Sequence, residues 1–72
     1  MFPNKKIQSL VGSRIQVEMK GENTILEGIL SGADEYLNMH LVDSVEVEDG
    51  RKIKSLGSVI LRGNNVVLVN PL

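Results

Sequence analysis

The sequence predicts an all-β protein: a short N-terminal α-helix followed by a strongly bent five-stranded antiparallel sheet that forms a small open barrel. Three observations carry this. Arg14 to Lys20 alternates strictly, with Ile15, Val17 and Met19 on one face and Arg14, Gln16, Glu18 and Lys20 on the other, the pattern of a half-exposed antiparallel strand. Val59-Ile60-Leu61 and Val66-Val67-Leu68-Val69 are short aliphatic runs flanking Arg62-Gly63-Asn64-Asn65, so two strands, expected to be buried, meet at a tight corner rich in turn residues. Gly28 interrupts Thr24–Leu30 and Gly32 follows it; glycines inside a strand mark a sharp bend or a close backbone approach.

The elements follow in order. Pro3-Asn4 opens a helix over about residues 4–11, with Asn4 as N-cap and Ile7, Leu10 and Val11 on one face. Gly12 suits the left-handed position that ends it. Two turns cannot stand alone, so the helix must pack on the sheet. Lys5 and Lys6 lie in its first turn, where they read as solvated lysines or as a basic rim near an anionic ligand. The first strand, 14–20, turns at Gly21-Glu22-Asn23 into the second, 24–30. Leu37 to Val47 is the third, with Leu37, Met39, Leu41, Val45 and Val47 inward and Asn38, His40, Ser44 and Glu46 outward. Glu48-Asp49-Gly50 turns the chain. Arg51 to Arg62 is the fourth strand, kinked at Leu56-Gly57, and Val66 to Val69 is the fifth, stopped by Asn70-Pro71. The fourth and fifth strands are the expected sheet edges. Few charges or prolines blunt Val59–Leu61 or Val66–Val69, and an unblunted aliphatic edge demands a pairing strand. Pairing with the next copy, head to tail, closes into a ring.

Composition points the same way. A single domain of 72 residues buries only about 60% of its unfolded surface and is marginal alone. The chain has no cysteine and one histidine, which removes disulfides, thiolate metal sites and an ordinary zinc site. Oligomerisation is the remaining source of stability. No apolar run reaches the length of a membrane helix and no signal peptide is visible, so a cytoplasmic location is expected. Eight Lys and Arg against nine Asp and Glu give a net charge of −1. A protein gripping duplex phosphate without specificity would be basic, so any nucleic acid must be held by a local pocket.

An enzyme is not expected. His40 lies in an alternating strand with no second base for a Ser-His-Asp arrangement, and Gly28, Gly32, Gly57 and Gly63 match neither a P-loop nor a dinucleotide fingerprint. No cofactor or metal is implied. What remains is Asp34-Glu35-Tyr36-Leu37-Asn38. Asn is depleted in strands, yet Asn38 is read as starting one, two residues after the chain's one tyrosine. An amide for a base edge, an aromatic for stacking and a guanidinium nearby are the parts of a single-stranded nucleic-acid site. The same residues also make a turn capped by Asp34, covered by Tyr36 and closed by Asn38. From the residues alone both readings stay open.

Gly28-Ile29-Leu30-Ser31-Gly32-Ala33-Asp34-Glu35-Tyr36-Leu37-Asn38-Met39-His40-Leu41 resembles the first Sm motif, and Leu56-Gly57-Ser58-Val59-Ile60-Leu61-Arg62-Gly63-Asn64-Asn65-Val66-Val67 resembles the second. The motifs extend over about residues 15–47 and 53–69 of a single Sm-like domain spanning 1–72. The compact form is similar to the archaeal Sm-like proteins. The resemblance implies an Sm fold, assembled as a homo-oligomeric ring through pairing of the fourth strand with a neighbour's fifth. Seven subunits are the usual number, with rings of six also formed in the family. It further implies binding of uridine-rich single-stranded RNA at the inner rim, in RNA processing or as an RNA chaperone, with other RNA-processing proteins as further partners. Carried over, Tyr36 stacks on the base, Asn38 bonds the uracil edge and Arg62 stacks on the other face. Asp34 orients Asn38 or its loop, Gly63 lets the backbone come close, and Asn64 stands where relatives often have Asp. The alternatives are a ring that scaffolds proteins with little RNA selectivity of its own, and a peptide-binding barrel of the SH3 type. The latter needs an aromatic groove that Tyr36 and Phe2 cannot build.

Overall fold

The computed structural model of the chain describes residues 4–21 and 25–72, with the backbone alone for residues 4 and 5. Its elements are α1 (Asn4–Gln8), β1 (Arg14–Met19), β2 (Ile25–Ala33), β3 (Met39–Glu48), β4 (Arg51–Leu61) and β5 (Val66–Pro71). The strands form one antiparallel sheet in the order β4-β3-β2-β1-β5. The strands expected at the edges are the edges. They do not pair with each other, so the strongly bent sheet stays open. No helix among the described residues is long and apolar enough to cross a membrane.

The core is built from the inward alternation. Ile15 and Val17 of β1, Leu30 of β2, Met39 and Leu41 of β3 and Leu61 of β4 are buried, and Ile7 closes the cluster from α1. Full burial of an aliphatic side chain of this kind is worth about 1.5–3 kcal/mol. The helix is shorter than the expected 4–11. It stops at Gln8, and turns carry the chain to Gly12. Ile7 is buried and Leu10 packs against the core, but Val11 is exposed. Gly12 does adopt the left-handed conformation, at φ +91°, and its N–H donates to the Leu30 carbonyl at 2.7 Å. The Asn4 cap, the Lys5 side chain and the turn residues Glu22 and Asn23 lie outside the described residues. Lys6 is exposed.

Three further expectations are corrected. The third strand begins at Met39, because Leu37 stands at φ +65° in the preceding turn. Ser44 points inward and is fully buried: Asp43 takes φ +49° and the β3–β4 register shifts there, which displaces the alternation as a bulge does. The fourth and fifth strands are not buried in the single chain. Ile60 is 71% exposed and Val67 59%.

The bend is made by small residues on three neighbouring strands. Gly28 of β2 lies against Ser44 of β3, whose hydroxyl donates to the Gly57 carbonyl of β4 at 2.5 Å. Gly57 adopts φ +71° at the expected kink. Past the bend, β3 and β4 close in a two-residue hairpin, Asp49-Gly50, with both φ positive, the turn that matches strand twist.

A Cβ at Gly28 would lie 3.0 Å from Ser44 Cβ, 3.1 Å from its Cα and 3.1 Å from the Val42 carbonyl oxygen. Two of these neighbours are backbone and cannot rotate aside. Gly28→Val is expected to destabilise the fold by about 1–3 kcal/mol, read as a lowered midpoint of thermal unfolding. Gly32→Ala, with nothing within 4 Å of the added carbon, is the matched control and leaves the midpoint near that of the parent.

Candidate nucleic-acid interface

Two loops separated in sequence are locked together at one end of the sheet. The first follows β2. Asp34 N–H donates to the Asn38 carbonyl at 3.0 Å and Leu37 N–H to the Asp34 carbonyl at 3.1 Å. The Asp34 carboxylate sits inside this turn. Its Oδ1 accepts from Tyr36 N–H at 2.8 Å and Asn38 N–H at 3.0 Å, and its Oδ2 from Asn38 Nδ2 at 3.0 Å. Desolvation raises the Asp34 pKa, but the bonds from Asn38 and Tyr36 outweigh it and hold the carboxyl below its ordinary 3.8. Leu37 takes the left-handed backbone and packs against the core. That anchors the turn from below and leaves Tyr36 72% exposed above it.

The second loop is the corner after β4. Leu61 is buried and pairs with Met39, so the corner begins beside the start of β3. Arg62 is extended, and Gly63–Asn65 form one 3₁₀ turn closed by Asn65 N–H to the Arg62 carbonyl at 3.0 Å. The Asn65 carbonyl accepts from Lys20 N–H at 2.7 Å, tying the corner to the end of β1. None of Gly63, Asn64 and Asn65 has positive φ, so glycine is not required at 63 for its backbone freedom. It is required for space: a Cβ there would lie 1.7 Å from the Tyr36 carbonyl oxygen.

That approach lets the loops bond. Gly63 N–H donates to Asn38 Oδ1 at 2.9 Å. Around the bond, Tyr36, Asn38, Arg62, Gly63 and Asn64 line one pocket. Five of the six residues singled out from the sequence thus surround a common space, and the sixth, Asp34, holds the Asn38 amide. Arg62 carries the one charge in that lining, and Tyr36, Arg62 and Asn64 are exposed. The pocket offers an aromatic face, a guanidinium, the oriented amide of Asn38 and the exposed amide of Asn64. His40 stands apart from it, its Nε2 2.6 Å from Ser58 Oγ across the β3–β4 pair. Leu37 is the residue that sequence reasoning missed. Its left-handed backbone has no sequence signal, since leucine seldom adopts it.

Two measurements check this construction. Gly63→Ala is expected to force the loops apart and lower stability by about 1–3 kcal/mol, seen in thermal unfolding. The lowered Asp34 pKa means that its contribution is complete above 3.8, the unfolded-state value, and is lost as pH falls below that through the folded-state value. Denaturant titrations in mildly acidic and strongly acidic buffer should show that loss. Asp34→Asn should be less stable than the parent at neutral pH and should lose less on acidification.

Comparisons with known proteins identify the family and the fold. The family profile described as LSM domain matches residues 5–71. An Sm-like protein of Archaeoglobus fulgidus, AF-Sm2, is 47% identical with a TM-score of 0.93, over 100% of this chain and 96% of that one. The Pyrococcus abyssi Sm protein, solved in complex with a uridine heptamer, is 29% identical with a TM-score of 0.89, over 100% of both chains. A heptameric archaeal Sm protein is 29% identical with a TM-score of 0.84, over 94% of this chain and 97% of that one. By its profile match, its 47% identity to AF-Sm2 and its shared architecture, the chain belongs to the Sm-like (LSm) family.

Proposed function

We propose that the chain is one Sm-like domain that assembles as a homo-oligomeric ring of seven and binds uridine-rich single-stranded RNA at the inner rim, in the cytoplasm and without catalysis of its own. The observation that carries this reading is the pocket formed by the Asn38–Gly63 bond, with Tyr36 and Arg62 beside an oriented amide. The related archaeal proteins, one heptameric and one holding a uridine heptamer, support it. The free edges supply the assembly. Unpaired β4 presents Ile60 and unpaired β5 presents Val67 and Leu68, and pairing one with the next copy's other satisfies both. Ring symmetry then gathers every Arg62 around one lumen, which makes the rim locally positive although the chain carries a net charge of −1.

In the pocket, Tyr36 and Arg62 stack on the base and Asn38 bonds its edge. Asp34 orients Asn38, Gly63 permits the close approach, and Asn64 completes the wall. Sedimentation of the parent is expected to give a heptamer. Val67→Asp, which buries an unpaired charge between copies, should give monomers. With rings intact, Tyr36→Ala should weaken binding of a uridine heptamer about tenfold, since stacking on an aromatic is worth roughly 1–3 kcal/mol per base. Arg62→Ala should weaken it and flatten its salt dependence. Intact rings that bind uridine and cytidine heptamers equally poorly would favour the protein-scaffold reading.

A further inference from the structure

Leu37 stands between Tyr36 and Asn38 in the chain. Both neighbours line the base pocket and Leu37 does not. It lines a second, more apolar groove instead, with Ile7 and Leu10 from the helix side and Val66, Val67 and Val69 from β5. The groove runs along the whole of β5, an unpaired edge of the sheet. Groove and base pocket therefore meet at one loop.

The ring reading commits the groove to one occupant. β5 is the edge that pairs with a neighbouring copy's β4, and a strand added there lies over the groove that β5 lines. The incoming strand brings Ile60, 71% exposed in the single chain, against Val67, 59% exposed, and joining two apolar surfaces removes both from water.

What the groove holds matters for the loop. Leu37 stands at φ +65°, a conformation leucine seldom adopts. The Asp34 carboxylate bonds the N–H groups on either side of it, those of Tyr36 and Asn38, and its side chain packs against the core. In the single chain that packing is partial, because Leu37 is only half-buried. The helix wall of the groove is tied to the same loop: Gln8 Nε2 donates to the Ala33 carbonyl at 2.7 Å, one residue before Asp34. Covering the groove thus fixes the backbone at Leu37, and that backbone sets how Tyr36 and Asn38 stand relative to each other.

We infer that a neighbouring copy's β4, seated over the groove between α1 and β5, completes the packing of Leu37, so that each base pocket reaches its full affinity only in the assembled ring. By linkage, a bound base favours assembly by the same factor by which assembly favours the base. This rests on the RNA-binding and ring readings given above and adds a coupling between them.

The test uses uridine monophosphate, titrated into the protein and followed by NMR. A single nucleotide occupies one pocket, so the gain that a longer RNA draws from bridging several pockets plays no part. Ile60→Asp changes the incoming strand and no residue that lines either the groove or the base pocket. It places a charge between copies and is expected to give monomers whose groove is uncovered. Parent rings are expected to bind the nucleotide about tenfold more tightly than these monomers, within the usual range of coupling between sites. Equal affinity, or tighter binding by the monomer, would overturn the inference and leave the RNA-binding reading standing. No binding by the parent ring would remove both. Leu37→Ala tests the route. In intact rings it should weaken the nucleotide about tenfold, although Tyr36, Asn38 and Arg62 are untouched, and binding like the parent's would contradict the role given to Leu37. In Ile60→Asp monomers the same change should matter by no more than about twofold, the scatter of uncoupled sites. A loss of equal size in ring and monomer would make Leu37 a local support with no link to assembly. The Leu37→Ala ring decides the matter even where the Ile60→Asp chain does not fold.

Discussion

The hydrogen bond from Gly63 N–H to Asn38 Oδ1 is the constraint on which the site depends. It joins positions 25 residues apart and exists only because the corner backbone lies against the Tyr36 carbonyl. Several sequence choices serve it together. Glycine at 63 makes the contact sterically possible, and Asp34 holds the amide so that its carbonyl faces the corner. Leu37 accepts an unfavourable backbone conformation to drop into the core. A neutral hydrogen bond contributes only about 1 kcal/mol net, so the bond does not hold the fold up. It decides where Tyr36 and Arg62 stand relative to each other in the pocket lining.

The sheet beneath the loops follows a different logic. A barrel closed on itself would pair its last strand with an earlier one and have no edges to offer. Here the order β4-β3-β2-β1-β5 leaves outermost two strands that carry exposed aliphatic side chains. The small core and the exposed side chains of Ile60, Val67 and Leu68 are two sides of one fact: much of the apolar surface of this short chain is arranged for a neighbour. The charged residues of β4, Arg51, Lys52 and Lys54, lie toward the hairpin. The stretch nearest the corner, Val59–Leu61, is wholly apolar.

Much of this was legible in the sequence because it depends on local rules. Alternation placed Ile15, Val17, Met39 and Leu41 in the core, and Gly28 and Gly57 marked the bend. Asp34, Tyr36 and Asn38 were visible as an unusual cluster, and likeness to two known motifs linked them to Arg62 and Gly63. What was not legible depends on register and on backbone conformations that residue type does not announce. The bulge at Asp43 turned Ser44 inward, and leucine at 37 took a conformation usually left to glycine. The helix stopped at Gln8, where the backbone bonds tighten into three-residue turns that periodicity does not announce. Gly63 was recognised as special on the grounds of turn chemistry as well as close approach, and only the second applies. Whether a glycine serves by its freedom or by its missing side chain depends on what stands opposite, and that neighbour comes from another part of the chain.

The bend at Gly28, Ser44 and Gly57 has a consequence beyond the single copy. The two edges that pair, β4 and β5, belong to one rigid sheet, so the rotation from each copy to the next is set by how sharply that sheet curves between them. Head-to-tail pairing closes only when those rotations sum to a full circle. The circumference of the assembly, and with it the spacing between successive base pockets, then depends on three small residues that lie outside the pocket lining. A change in their volume would alter how many bases the rim can hold in register.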